Sequence, residues 1–215
     1  MMRKNTGDNQ APLLLTSITN EHVISTEQLC AQLKTNTKEG IKDEIAKEML
    51  RIAGKNQFER PKRRFMLNFS GFHIKRQKFS KSEWKRIFGQ QIPNEVTVIR
   101  NNKHKQINGK QLVQGDIIEL RKNDIVPADV RIIDSYDVFV DNRIITGNYA
   151  EPRSHEQICH DYLVSPNMVF ACTRILSGVC TGIVLRTGED TVFGTLKNFA
   201  EKVKVEKARR KHSVE

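Results

Sequence analysis

The chain has 215 residues, 38% of them hydrophobic and 28% charged, with a net charge of +11. That length holds one medium domain plus tails. No run approaches the roughly 20 apolar residues of a membrane-crossing helix, Leu13–Leu15 is too short for a secretory leader, and the four cysteines (Cys30, Cys159, Cys172, Cys180) fit no C-x-x-C metal pattern and read as reduced thiols.

Residues 1–20 are polar with scattered leucines and read as a flexible lead. Ser25, with Gln28 three positions on, makes a capping box for a short helix. From Lys42 to Ile52 a second helix is expected, because Ile45, Met49 and Ile52 recur at spacings of four and three, and Gly54 stops it.

Residues 60–93 differ in character. Arg60, Lys62, Arg63 and Arg64 precede Phe65, Phe69 and Phe72, then Lys75, Arg76, Lys78 and Lys81 precede Trp84, Ile87 and Phe88. The spacing suits two short basic amphipathic helices, packed on the main domain or laid on a membrane surface. The charges after Ile74 exclude a crossing, since each Lys or Arg at mid-bilayer costs roughly 2.5–3.5 kcal/mol. Between Lys55 and Lys110 there are fifteen Lys and Arg against three acids, and Lys202–Lys211 adds a second basic cluster. Such a field favours anionic partners of any kind.

From Glu95 onward short apolar runs alternate with turn residues. The runs are 96–100, 117–120, 130–133, 138–140, 168–172 and 182–186. The turns fall at Asn101-Asn102, Gly109, Gly115-Asp116, Asn123-Asp124, Gly147, Gly178 and Gly188. This is the pattern of a mainly β sandwich or jelly roll with flanking helices. Pro127 suits a strand entry, Asp129 is placed to accept backbone N–H bonds at that bend, and residues 191–200 read as a closing helix with Val192, Leu196 and Phe199 on one face.

Four ordered stretches resemble the actuator domain of P-type cation-transporting ATPases, in particular the sodium/potassium and proton/potassium pump α subunits. Val98-Ile99-Arg100-Asn101-Asn102 with Ile107-Asn108 resembles the opening hairpin. Val113–Leu120 with Asp124–Ile133 resembles V-x-G-D-x-V-E-V and D-x-I-P-A-D-x-R-I-I. Val140–Pro152 resembles the signature loop V-D-x-x-x-L-T-G-E-S-x-P. Asn167–Phe170, Gly178–Val184 and Thr187–Gly194 resemble the closing segments. Upstream, Ser25–Leu29, Gly40–Ala46 and Gly54-Lys55-Asn56 are similar to the family's N-terminal segment.

The resemblance implies a distorted jelly-roll actuator domain over 94–198, an N-terminal helical segment over 21–60, a basic-aromatic linker over 61–93 where the family places its first membrane helix pair, and a basic tail over 199–215. In the family the carboxylate after T-G handles the water that hydrolyses a phospho-enzyme. Here Thr146 and Gly147 are followed by Asn148, and one extra residue precedes Pro152. An amide hydrogen-bonds water but is no base near neutral pH. Glu151 aligns with the family's second Glu, beside the proline, and Tyr149-Ala150 is expected to carry it away from the tip.

The resemblance therefore implies a truncated, catalytically silent pump-like actuator module with no cofactor of its own, since the family's ATP and magnesium belong to domains without a counterpart here. Its expected partners are the phosphorylation domain of an intact pump or a pump complex with its β subunit, and an anionic membrane surface. Its expected place is cytoplasmic, peripheral to the membrane. One alternative is a fragment of a complete pump whose D-K-T-G phosphorylation domain, nucleotide domain and membrane helices lie outside this chain. Another is a basic β module for anionic lipid or nucleic acid; nucleic acid is disfavoured because no aromatic-rich strand motif of the RNA folds occurs.

Overall fold

The computed structural model describes residues 20–58 and 92–198. The expected lead, the basic tail and nearly all of the 61–93 segment with its amphipathic helices lie outside the described residues.

Helix α1 (Thr26–Leu33) starts at the expected capping box. The Ser25 hydroxyl accepts from Gln28 N at 3.2 Å, and Ser25 N donates to Gln28 Oε1 at 3.1 Å. Helix α2 (Asp43–Ala53) carries Asp43 and Glu44 in its first turn, where the helix dipole favours negative charge, and ends at Gly54. Its buried face differs from the stripe read in sequence. Ala46, Met49 and Leu50 pack on Ile41 and Val113, while Ile45 and Ile52 are exposed. The cause is a polar tether at the helix start: Asp43 pairs with Lys105 and accepts from Asn101 Nδ2 at 2.9 Å, and Ile41 bridges Arg100. These contacts set the rotation of α2, and the apolar stripe follows.

Seven strands follow among the described residues: β1 (Val96–Arg100), β2 (Lys103–Ile107), β3 (Ile117–Arg121), β4 (Asp129–Asp141), β5 (Glu151–Arg153), β6 (Met168–Val169) and β7 (Arg174–Arg186). They form one sheet in the order β2-β1-β3-β7-β4-β5, with β6 also on β4, and every pairing is antiparallel. The apolar runs 130–133 and 138–140 belong to one strand rather than two, and Gly178 lies inside β7 rather than in a turn. The β4–β7 register shifts at several points, and each irregularity bends and twists the pair. At one of them Gly178 has φ 76°, and a Cβ there would stand 2.3 Å from Asp137 O. Only glycine fits that close approach.

Alternation along the bent strands feeds two cores. Val96, Val98, Ile118, Leu120, Val130 and Ile132 face one cluster. Ile99, Ile117, Ile183 and Leu185 face the other, which Leu29 of α1, Phe58, Val192 and Phe193 also enter. Residues 192–198 are helical, matching the expected closing helix over its described part, and Phe193 meets Phe58 edge-on at 5.0 Å.

Buried polar groups join these parts. Arg100 Nε and Nη2 donate to the two oxygens of Asp116 at 2.7 and 2.6 Å, and Asp116 also accepts from Val113 N. Asn56, fully buried, donates to Gly109 O and Pro127 O and accepts from Gly188 N, so one amide ties the N-terminal segment to three loops. Asp129 does accept backbone N–H bonds, from Ala171 N at 3.0 Å and Val192 N at 2.7 Å, but these tie β4 to two distant segments rather than closing the bend at Pro127. Burial pushes its carboxyl up to about 6.

Candidate functional site: the loop between β4 and β5

Residues 142–150 connect β4 to β5. The buried Asn142 begins the loop, and its carbonyl accepts from Ile145 N at 3.0 Å and Thr146 N at 2.9 Å, winding one tight turn. Ile145 drops into the second core as an anchor. Gly147 then takes φ 84°, a conformation that costs glycine little, and the chain emerges at the exposed residues Asn148–Ala150. Thr146-Gly147 is thus the bend that projects the tip from the β body.

The carboxylate of Glu151 organises this tip. Its Oε1 accepts from Thr146 Oγ1 at 2.7 Å and from Asn148 Nδ2 at 2.7 Å. Its Oε2 accepts from Asn142 Nδ2 at 2.7 Å and from Arg153 Nη2. A carboxylate offers about four lone-pair directions, and all are taken. Burial opposes the charge, but the donors from Thr146, Asn148 and Asn142 together with the Arg153 cation outweigh it and hold the carboxyl below its usual 4.5. Pro152 follows, exposed, and pairs with Phe139 in the short β4–β5 ladder.

This corrects the expected position of Glu151. Tyr149 and Ala150 do not carry it away from the tip: Ala150 adopts φ 55°, the loop folds back on itself, and Glu151 returns to touch Asn148. Tyr149 is 62% exposed and lies under the Arg143 guanidinium, 5.0 Å from ring centroid to Cζ, while Arg143 also pairs with Asp141. The structure brings Thr146, Gly147, Asn148 and Glu151 together and adds Asn142, Arg143 and Arg153, which sequence reasoning did not single out. The clue to Arg153 was its place two residues beyond Glu151 on a short strand, on the same face.

Two further features bear on what the loop can do. Among the described residues no three His, Cys, Asp or Glu side chains gather as a metal site. No helix among them is long and apolar enough to cross a membrane.

A bent antiparallel β body with short N-terminal helices and a projecting T-G loop defines the actuator class of cation pumps, and comparison with known proteins agrees. The family model of the P-type ATPase actuator domain matches residues 90–201, and that of the cation transporter/ATPase N-terminus matches residues 21–70. The chain belongs to the P-type ATPase family and covers its N-terminal and actuator domains. It is 39% identical over 121 residues to the potassium-transporting ATPase alpha chain 2 of Homo sapiens, covering 56% of this chain and 12% of the relative. It is 42% identical over 118 residues to the potassium-transporting ATPase alpha chain 1 of Xenopus laevis, covering 54% and 11%. To the sodium/potassium-transporting ATPase subunit alpha-3 of Rattus norvegicus it is 36% identical over 122 residues, covering 56% and 12%. The match thus spans a small fraction of each relative's length. A solved zinc-transporting PIB-type ATPase in its E2.Pi state overlays with a TM-score of 0.40 at 18% identity, covering 51% of this chain and 17% of that one.

Proposed function

We propose that this chain supplies an actuator module of the sodium/potassium and proton/potassium pump type that engages a phosphorylated pump without hydrolysing the phosphate. The observation that carries the reading is the tip itself. The residue after Thr146-Gly147 is an asparagine, and the nearby carboxylate, Glu151, already accepts from four donors and is held below its usual carboxyl range. A general base needs a free lone pair and a basicity near the working pH. Asn148 lacks the second and Glu151 lacks both.

The shape of an actuator tip is retained in this reading, and the water chemistry is lost. The partner is the phosphorylation domain of an intact pump, met by the exposed Asn148–Ala150 edge. The site is cytoplasmic, at the membrane periphery, where the sequence's basic block between Lys55 and Lys110 suits an anionic lipid surface. ATP and magnesium act in the partner's domains and require no ligand from this loop.

The test is to graft residues 140–152 onto a full-length sodium/potassium pump α subunit in place of its own loop and measure ATP turnover. Loss of a positioned base lowers turnover about 10²–10⁴-fold. Turnover within a factor of three of the parent pump would end the proposal.

A further inference from the structure

The turn at residues 20–24 sits in a cradle built entirely by the β body. Arg131 Nη1, from β4, donates to Glu21 O at 2.7 Å and Ile24 O at 3.4 Å. Asn167 Nδ2 donates to His22 O at 2.8 Å, with Asn167 Oδ1 accepting from Ser165 Oγ at 2.8 Å, which fixes the amide's orientation. Arg186, from β7, donates to the Glu21 carboxylate at 2.6 Å. The His22 ring stands edge-on to Tyr162 at 5.2 Å, and its Nε2 donates to His160 O at 3.0 Å. Tyr162 lies under the Arg186 guanidinium and accepts from it.

Asn167 is braced by Ser165 and Arg186 by Tyr162. Asn167 is fully buried, Arg131 and Tyr162 nearly so. Besides the Ile24 side chain, the turn supplies three carbonyl oxygens, one carboxylate and one ring, while the Val23 side chain is exposed. That is the contact set of a bound peptide rather than of a core element: directional polar bonds to the main chain, one charge and one aromatic anchor. Ile24, followed by Leu29, anchors the N-terminal segment in the second core, so release of residues 20–23 leaves that anchor in place and uncovers the Tyr162 edge of the core, where His22 packs.

We infer that Arg131, Tyr162, Asn167 and Arg186 form a peptide receptor site filled in cis by residues 20–24, a releasable clasp between the N-terminal and actuator regions. Its ligand class is a tight turn bearing a carboxylate followed by an imidazole, with free backbone carbonyls at three positions. Charge governs release, because Glu21 and Arg186 are both largely shielded from water and an unpaired charge there is unfavourable. With the clasp open, the same cradle takes the equivalent turn in trans, including that of a second copy of the chain.

The experiment uses the full chain and Glu21→Lys, which sets two cations against each other. Amide exchange at residues 21–24 should accelerate at least tenfold in the variant, with β4 and β7 amides unchanged. An acetylated peptide of residues 20–26 should bind the variant saturably, one to one, and bind wild type at least tenfold more weakly because its cradle is filled. Adding Arg186→Gln to the variant should remove that binding. His22→Ala, which keeps the ion pair and removes the ring anchor, serves as the second variant if Glu21→Lys loses its fold, and should show the same faster exchange and peptide uptake. Unchanged exchange at 21–24, or faster exchange without peptide binding, overturns the inference.

Discussion

Asn148 Nδ2 lies 2.7 Å from Glu151 Oε1, so the tip residue of the loop is hydrogen-bonded to the carboxylate three positions after it. Ala150, between them, takes a left-handed φ of 55°, and the loop folds back on itself. Glu151→Ala should therefore unravel the tip and strand the Arg153 guanidinium, whose side chain is 3% exposed. Removing one partner of a buried pair costs about 3 kcal/mol or more, read as a shift in the urea midpoint. Glu151→Gln keeps one acceptor and should cost less. The folded carboxyl lies below 4.5, so its stabilisation is complete above that pH and is lost as pH falls through the folded value.

Asp129 should show the opposite sign. Its folded value of about 6 exceeds the ordinary 3.8, so the folded state holds its proton more tightly than the unfolded state does. Stability from this group is full below 3.8 and falls as pH rises toward 6, by about 3 kcal/mol in total. The groups around it are Arg186 on β7, Glu21, Tyr162, Cys172 and Lys197. Asp129→Asn should cost more at pH 4 than at pH 7, checked by urea unfolding at both.

The Arg100–Asp116 pair should be costly to break and cheap to replace. Asp116→Ala leaves the Arg100 guanidinium without its bidentate partner and frees Val113 N, an effect of about 3–5 kcal/mol. The double substitution Arg100→Met, Asp116→Leu should recover a large part of that loss. A double-mutant cycle in thermal or urea unfolding measures the coupling.

Two glycines at positive φ should behave differently. Gly40, φ 68°, faces Ile99 O, and a Cβ would lie 1.8 Å from it. Gly54, φ 82°, has nothing within 4 Å. Gly40→Ala must move backbone and should cost at least about 3 kcal/mol, while Gly54→Ala pays only for its dihedral angles, about 1–2 kcal/mol. Thermal midpoints of the two variants give the comparison.

The parts legible in sequence were those governed by local rules. The Ser25–Gln28 box, the Gly54 stop and the alternation of Val96–Arg100 all follow from short-range chemistry, whereas the backbone partners of Asp129 lie at 171 and 192. Strand β2 was hard to see because Lys103-His104-Lys105-Gln106 carries almost no apolar residue; it is an edge strand, and charge there guards against further pairing. The joining of 130–133 to 138–140 depends on bulges matched by Gly178 some forty residues away. The rotation of α2 depends on Lys105 and Asn101, and Asn56 finds its partners at 109, 127 and 188. At the loop, Thr146, Gly147 and Asn148 were readable from the motif, but the return of Glu151 was not, since one positive φ at Ala150 decides it.

The most direct test of a silent tip is the decay of labelled phospho-enzyme in a single turnover of the loop-grafted pump. With Asn148 in place the label should persist, decaying about 10²–10⁴ times more slowly than in the parent. Asn148→Glu alone should recover little, because the new carboxylate would face Glu151; Asn148→Glu with Ala150 deleted should recover most. Decay at the parental rate with Asn148 and Glu151 both unchanged would contradict the account.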